Sequence, residues 1–381
     1  MERLALVTGS RAEYGILRPV MARIREARLE LMVVVAGMHL APTFGETVRE
    51  IEADGIAIAA KVEMTAISDD PAAMVDTIGR GIAGLGRAMT ELNPDLVLVL
   101  GDRVEAFAAA IAGAGSNRAV AHLHGGDVSR GGLDESMRHA ITKLAHLHFA
   151  ATEKSRERIV RMGERPDRVF AVGAPGLDAI HTSRRASIGE LEKLVGAPLP
   201  RPLVVLVQHP VTTRADQAQD EMRETLEALD VEEHTTVCLY PNADAGGRRM
   251  IEVIESFRDR RWLHVIPNLE HSAYLSLLAV ADVLIGNSSS GIIEAPFFHL
   301  PVVNIGERQA GRERGDNVLD VAPRHEDIIR ALKRALGDAE FRERVRKGNS
   351  PYGDGRASER IVAVLQRTRI GPELIQKQFV D

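Results

Sequence analysis

Residues 122–139 read HLHGGDVSRGGLDESMRH and crowd histidines, glycines and acids into eighteen positions. These residue types allow three chemistries. His122, His124, Asp127 and His139 are metal-ligand types, and a metal site needs three or four of them converging. The glycines would let backbone N–H groups cradle a phosphate. The carboxylates Asp127, Asp134 and Glu135 could move a proton at a substrate carbon. Against the metal, H-E-x-x-H is absent and no spaced Cys/His set accompanies the histidines. An ordinary helix explains part of the segment as well. Asp134/Arg138 and Glu135/His139 are i, i+4 pairs with the acid first. Both acids fall in a first turn, where the helix dipole favours them. Met137, Ile141, Leu144 and His148 form a stripe that suits a core. His122 and His124 flank Leu123 on a strand, which sets them on the face opposite to it.

Other loops carry similar chemistry. TGSRAEYG (8–15) offers Gly9 for a tight turn and Arg11 as a forked donor to phosphate or carboxylate. It is neither a dinucleotide fingerprint nor a P-loop, and a turn with a helix cap explains it equally. In GDR (101–103), Asp102 either caps a helix or serves the site. QHPVTT (208–213) sets His209 at a strand end, and YPNADAGG (240–247) supplies Asn242 and Asp244, although turn chemistry favours the same residues. ADVLIGNSSSGIIEAP (281–296) is the most informative. Its backbone N–H groups and the hydroxyls of Ser288, Ser289 and Ser290 suit an anion at a helix start. Glu294, a turn further on, suits ribose hydroxyls. Arg308, Arg312 and Arg314 in GERQAGRERGDN (306–317) suit a diphosphate.

Such loops need elements to position them. Apolar runs at Leu4–Val7, Leu31–Val35, Leu96–Leu100 and Val120–Leu123 predict strands buried on both faces, with helices over 14–27, 73–92 and 103–115. Gly and Pro gather over 173–202, and an interdomain connection is placed there. The rhythm restarts with strands at Leu203–Val207, Thr235–Leu239, Leu263–Ile266, Val283–Ile285 and Val302–Asn304. Helices fall near 216–230, 247–259, 271–281 and 323–337. The expectation is α/β: two doubly wound Rossmann-like domains facing a central cleft, with functional residues just after strands. Residues 1–175 form the first domain, rejoined by a C-terminal helix at about 365–381, and 176–364 form the second.

Bulk properties narrow the class. A chain of 381 residues is long for one core. A net charge of −6 gives no support to nucleic-acid binding. The single cysteine, Cys238, excludes an internal disulfide and suits a reducing compartment. No apolar run approaches a membrane span, and the N-terminal run is too short for a signal peptide, so a soluble cytoplasmic protein without a membrane partner is expected.

Taken together, TGSRAEYG, GDRVEAFAAAIAG, HLHGGD, LDESMRHAITKLAH, QHP, NAD, GNSSSGIIEAP and GERQAGRERGDNV resemble, in order and over nearly the whole chain, the hydrolysing UDP-N-acetylglucosamine 2-epimerases of sialic acid-type biosynthesis. The resemblance implies the GT-B fold, a UDP-sugar substrate, and no metal or other cofactor. It implies elimination of UDP to a glycal, then hydration to N-acetylmannosamine. A 2,4-diacetamido-trideoxy substrate of the legionaminic pathway is the close alternative, and a GT-B glycosyltransferase a more distant one. Position by position, it puts Arg11 and Arg103 near the diphosphate or sugar, and makes Asp102 and Asp134 acids of proton transfer. His209 becomes the cleft histidine and Asn242 a nucleotide contact. Ser288, Ser289 and Ser290 cradle phosphate, Glu294 the ribose, and Arg308 the nucleotide region. Some relatives carry glutamate where this chain has His124, so His124 and Asp127 join the acid–base candidates. Family members form homodimers or homotetramers.

Overall fold

The computed structural model describes residues 3–41, 47–64, 71–128, 132–182, 184–211, 214–241, 246–267 and 269–380. By its internal contacts the chain divides into two compact units. One comprises Met1–Val128, Gly132–Ala179 and Tyr352–Asp381, and the other Ser129–Gly131 and Ile180–Pro351.

The first unit holds seven parallel strands: β1 (Arg3–Thr8), β2 (Glu30–Ala36), β3 (Ile58–Val62), β4 (Leu96–Leu100), β5 (Ala119–Leu123), β6 (Leu147–Ala150) and β7 (Val169–Ala171). Their spatial order is β3-β2-β1-β4-β5-β6-β7. Alternation along each strand feeds two cores. Leu4, Leu6, Leu96 and Leu98 pack with Tyr14, Leu17 and Met21 of the Arg11–Glu26 helix and with Ile361 and Leu365 of the Ala357–Arg367 helix. Ala5, Val7, Val97 and Val99 face Leu85 and Met89 of Pro71–Leu92 and the alanines of Val104–Gly115. Helices on both faces explain why these strands read as unbroken apolar runs.

The second unit repeats the plan with β8 (Leu203–Val207), β9 (Thr235–Leu239), β10 (Leu263–Ile266), β11 (Val283–Gly286), β12 (Val302–Ile305) and β13 (Val318–Val321), in the order β10-β9-β8-β11-β12-β13. Val204, Leu206, Val283 and Ile285 pack with Met222, Leu226, Ile254 and Leu332, while Val205, Val207 and Leu284 face Leu277 and Leu278.

In each sheet the chain reverses its direction of growth once, between β1 and β4 and between β8 and β11. At such a switch point the connections leave in opposite directions, and the loops after the two strands stand side by side. Both switch points are narrow. A Cβ on Gly9 would lie 2.4 Å from Glu105 Cγ. Gly286, at φ +124°, would bring one to 2.1 Å from Val207 O. Only glycine fits either position.

The structure departs from the sequence expectations in several places. His148 lies in β6, not on a helical stripe. His124 follows the end of β5 at φ 61°, so the strand alternation that paired it with His122 stops before it. The Gly/Pro-dense stretch contains a helix, Ile188–Val195, opened by a Ser187/Glu190 capping box. The first helix starts at Arg11 rather than 14. No helix among the described residues is long and apolar enough to cross a membrane.

Candidate functional site

In the first unit the site residues come from the loops after β1, β4 and β5 and from the start of the Gly132–Leu144 helix. Asp102 does not cap the Val104–Gly115 helix, whose N-cap position is Arg103. Asp102 instead pairs with Arg138, whose side chain is only 3% exposed. The same guanidinium donates to Glu135 Oε2 at 2.8 Å and to the Asp127 carbonyl at 2.9 Å. One buried cation thus joins the β4 loop, the β5 loop and the helix. The i, i+4 spacing of Asp134 and Arg138 is that of ordinary helix support, and it carries no sign of the Asp102 partner.

His124 and Asp127 form a second pair, Nδ1 to Oδ2 at 2.9 Å. The other oxygen of Asp127 accepts from Ser155 Oγ at 2.9 Å. Asp127 therefore fixes the imidazole, holding the proton on Nδ1 and leaving Nε2 for chemistry. His122 is fully buried, with Nε2 2.7 Å from the Gly101 carbonyl and Nδ1 3.4 Å from Thr142 Oγ1. Burial pushes it down to about 3, so it is neutral and braces the loop carrying Asp102. Among the described residues no group of three or more His, Cys, Asp or Glu side chains could hold an ion.

Beneath Arg103 lie two buried carboxylates, Glu13 and Glu105. Glu13 accepts from the Gly9 and Ser10 N–H groups at 2.7 and 3.1 Å, closing a capping box with Ser10. Burial, then the charge of Glu105, raises it to about 7. Arg103 reaches Glu105 Oε2 at 3.3 Å. Burial opposes its charge, but Glu105, Glu13 and Asp134 outweigh that and hold it protonated. The Ser-x-x-Glu spacing of Ser10 and Glu13 was legible as a cap, whereas the carboxylate pair was not. Asp134 is exposed in the first turn of its helix. Arg11 pairs with Glu50 at 2.9 Å, with both side chains largely exposed.

In the second unit Asn287 is the organiser. Its Oδ1 accepts from the His209 N–H at 2.7 Å, and its Nδ2 donates to the His209 carbonyl at 2.8 Å. One amide thus clamps the loops after β8 and β11. The Asn287 carbonyl accepts from Arg308 Nη1 at 3.2 Å and from Gln309 Nε2 at 2.9 Å. Burial, then the Arg308 charge, pushes His209 down to about 3, so it is neutral. Ser288 Oγ accepts from the Ser290 N–H at 3.3 Å, so one of the three hydroxyls caps its own turn. The other two are half-buried beside the Ser290–Ile293 helix. Glu294 ends that helix rather than lying inside it, near the phenol of Tyr274, which burial holds protonated. Arg314, one of the expected phosphate ligands, pairs with Asp320 and donates to the Gln309 carbonyl. Asn242 and Asp244 lie outside the described residues.

In the first unit Asp102 follows β4 while Asp127 and Asp134 follow β5, and in the second the amide clamp and hydroxyls follow β11 while Arg308 follows β12. Residues 22–366 match the family model described as UDP-N-acetylglucosamine 2-epimerase. The chain belongs to the UDP-N-acetylglucosamine 2-epimerase family. Among its relatives, the UDP-N,N'-diacetylbacillosamine 2-epimerase (hydrolyzing) of Legionella pneumophila is 38% identical, over 99% of each chain. The UDP-N-acetylglucosamine 2-epimerase of Neisseria meningitidis is 32% identical, over 100% of this chain and 99% of that one. A crystal structure of UDP-GlcNAc 2-epimerase from Neisseria meningitidis bound to UDP-GlcNAc superposes with a TM-score of 0.81 at 20% identity, covering 97% of this chain and all of that one. This likeness gives the fold: two doubly wound α/β units of the GT-B type in one chain. This epimerase-family enzyme carries Asp102, Asp127 and Asp134 in one unit and Asn287, Ser288, Ser289, Ser290 and Arg308 in the other.

Proposed function

We propose that the protein is a hydrolysing 2-epimerase of a UDP-2-acetamido sugar, releasing UDP and the free 2-epimeric sugar in the cytoplasm. The observation that carries the reading is the Asp102–Arg138–Glu135 cluster beside the His124–Asp127 pair. An inverting transfer to an acceptor needs one base, whereas exchange at C2 needs a group to remove a proton and another to return one.

The chemistry follows from these groups. The C2–H of a 2-acetamido sugar is not acidic at neutral pH. The C1–O bond must therefore break before or together with proton loss. Ser289, Ser290 and Arg308 support departure of UDP by receiving its growing negative charge. Asp102, paired with Arg138, accepts the C2 proton as positive charge builds at C1. The product of this step is a 1,2-glycal. Water then adds its oxygen to C1, while C2 is reprotonated from the opposite face. Asp134 and His124, the latter oriented by Asp127, supply the proton transfers of that half. His209, neutral by burial, donates or accepts a hydrogen bond without changing charge. Glu294 serves the ribose, Asn242 the nucleotide, and Arg11 and Arg103 the diphosphate or sugar.

UDP-N-acetylglucosamine is the first reading, since it offers a diphosphate, a ribose and a C2–H beside an acetamido group to the groups named. A UDP-2,4-diacetamido-trideoxy sugar is the second reading, favoured by 38% identity to the Legionella enzyme against 32% to the Neisseria one. The test is product NMR after incubation with sugar nucleotide alone in deuterated water. Deuterium at C2 of a free mannose-configured 2-acetamido sugar is expected. If neither UDP nor free sugar forms until an acceptor is added, the protein is a transferase and the proposal is wrong. Comparing kcat/KM on the two UDP-sugars decides between the substrates.

A further inference from the structure

The Gly132–Leu144 helix carries Asp134, Glu135 and Arg138 at one end, and at the other the Ala145 N–H closes on the Ile141 carbonyl at 2.8 Å. Its last turn runs into Ala145 and His146, not into a left-handed glycine, and the chain proceeds at once into β6. A helix end leaves four carbonyls without intrahelical donors. Here the donor arrives from the C-terminal tail, 232 residues downstream of Ala145. Lys377 Nζ lies 2.9 Å from the Thr142 carbonyl, 2.9 Å from that of Lys143 and 2.6 Å from that of Ala145. Glu164 balances its charge at 2.6 Å, shared with Lys143 at 2.6 Å and His148 at 3.2 Å. Three ammonium protons thus serve four acceptors, and the cation lies at the negative end of the helix dipole.

The tail is fixed on both sides of Lys377. Upstream, Arg168 Nη1 donates to the Leu374 carbonyl at 3.2 Å. Downstream, the Phe379 ring lies against Gly163, where a Cβ would come within 2.2 Å of it. The Lys143 ammonium lies 5.1 Å from the ring centre, and Val380 N–H donates to the Gly163 carbonyl at 3.1 Å. This anchoring holds the ammonium in place before the helix end has to order it.

A short route joins the cap to the acids. Thr142, whose carbonyl Lys377 holds, donates its hydroxyl to the Arg138 carbonyl at 3.1 Å. The same hydroxyl lies 3.4 Å from His122 Nδ1, and the other nitrogen of His122 braces the Gly101 carbonyl next to Asp102. Fraying the last helical turn therefore disturbs both partners of the Asp102–Arg138 pair. We propose that Lys377 is a positioning residue for the reaction, acting through Thr142 on Asp102, Asp134 and Arg138. This rests on the assignment of those acids to catalysis.

The test is Lys377→Met in the full-length enzyme. The expected result is a fall in kcat of about 10-fold or more, as small displacements of catalytic groups produce, with KM within two-fold. Amide hydrogen exchange should quicken over residues 134–144. Lys377→Cys aminoethylated with 2-bromoethylamine regrows an ammonium of nearly lysine length, and should restore both kcat and exchange protection. Cys238 is buried and escapes the reagent. Leu332→Ala, a cavity in the core of the other unit, lowers the melting temperature and should leave kcat unchanged. A Lys377→Met enzyme that loses melting temperature but keeps wild-type kcat overturns the proposal. So does aminoethylation that restores stability without rate. A fully active Asp134→Asn would instead remove the assignment of that acid, while the exchange data would still report the cap.

Discussion

The two units share one plan and use it differently. Each gathers candidate site loops around a residue that clamps two of them together. In the first unit the clamp is a buried guanidinium, Arg138, surrounded by carboxylates. In the second it is a neutral amide, Asn287, bonded to backbone. The distinction follows from what each unit is asked to do in the proposed reaction. Proton transfer needs ionised groups whose charge is held by a fixed counter-ion. Anion binding is served by N–H and hydroxyl dipoles, which attract charge without the desolvation penalty of buried ions.

Asp102→Asn strikes the charged unit and should have the largest effect, lowering kcat by about 1,000-fold with KM changed only a few-fold. Steady-state kinetics on the UDP-sugar measure it, and wild-type turnover would remove Asp102 from the mechanism. Asn287→Ala strikes the neutral unit. It unclamps His209 and loosens Arg308, and should weaken UDP as a product inhibitor by about 10-fold, worth ~1.4 kcal/mol, with a smaller loss in kcat. A kcat effect exceeding the binding effect would erase the proposed division of labour.

The smallest effect is on pH stability. In the first unit burial lowers His39 and His146 to about 4 and His122 to about 3, and lowers His148 as well. The second unit has His209 and His264 lowered in the same way. A histidine lowered in the folded state takes up its proton first in the unfolded chain. Its contribution is therefore intact above about 6.5 and declines as pH falls towards its folded value, by at most about 1.4 kcal/mol per pH unit per histidine. Glu13 works oppositely: raised to about 7, its contribution is full below 4.5 and is lost as pH rises through 7. Between pH 6 and 4.5 the first unit should lose exchange protection more steeply than the second. Equal slopes would show that the histidines do not govern the acid limb.

Legibility in the sequence followed burial. The interior strands β1, β2, β4, β5, β8, β9, β11 and β12 stood out because both faces are covered. Among the edge strands, β10 was legible as the apolar run Leu263–Ile266, whereas β3 and β13 were not: one alternates as IAAKV and the other carries Asp320 among partly exposed residues. β7 has three residues, and β6, with its two-sided burial, was hidden because His148 continued the helical spacing of Met137, Ile141 and Leu144. Among the site residues, those in loops after strands were found by position and type. Arg138, Glu105 and Asn287 were passed over because a helical ion pair, a helix-start acid and a turn asparagine each explain themselves locally.

The sequence by itself determined the alternation of strand and helix, and hence two parallel sheets, because burial on two faces leaves a pattern that adjacent residues record. It also determined which loops carry reactive groups, because glycines, acids and hydroxyls follow strand ends in order along the chain. Only the tertiary structure decided which groups meet. Asp102 finds Arg138 across 36 residues, His209 finds Asn287 across 78, and Lys377 finds Ala145 across 232. Strand order brings such partners together, and strand order depends on packing energies summed over whole sheets, which no local stretch of residues contains.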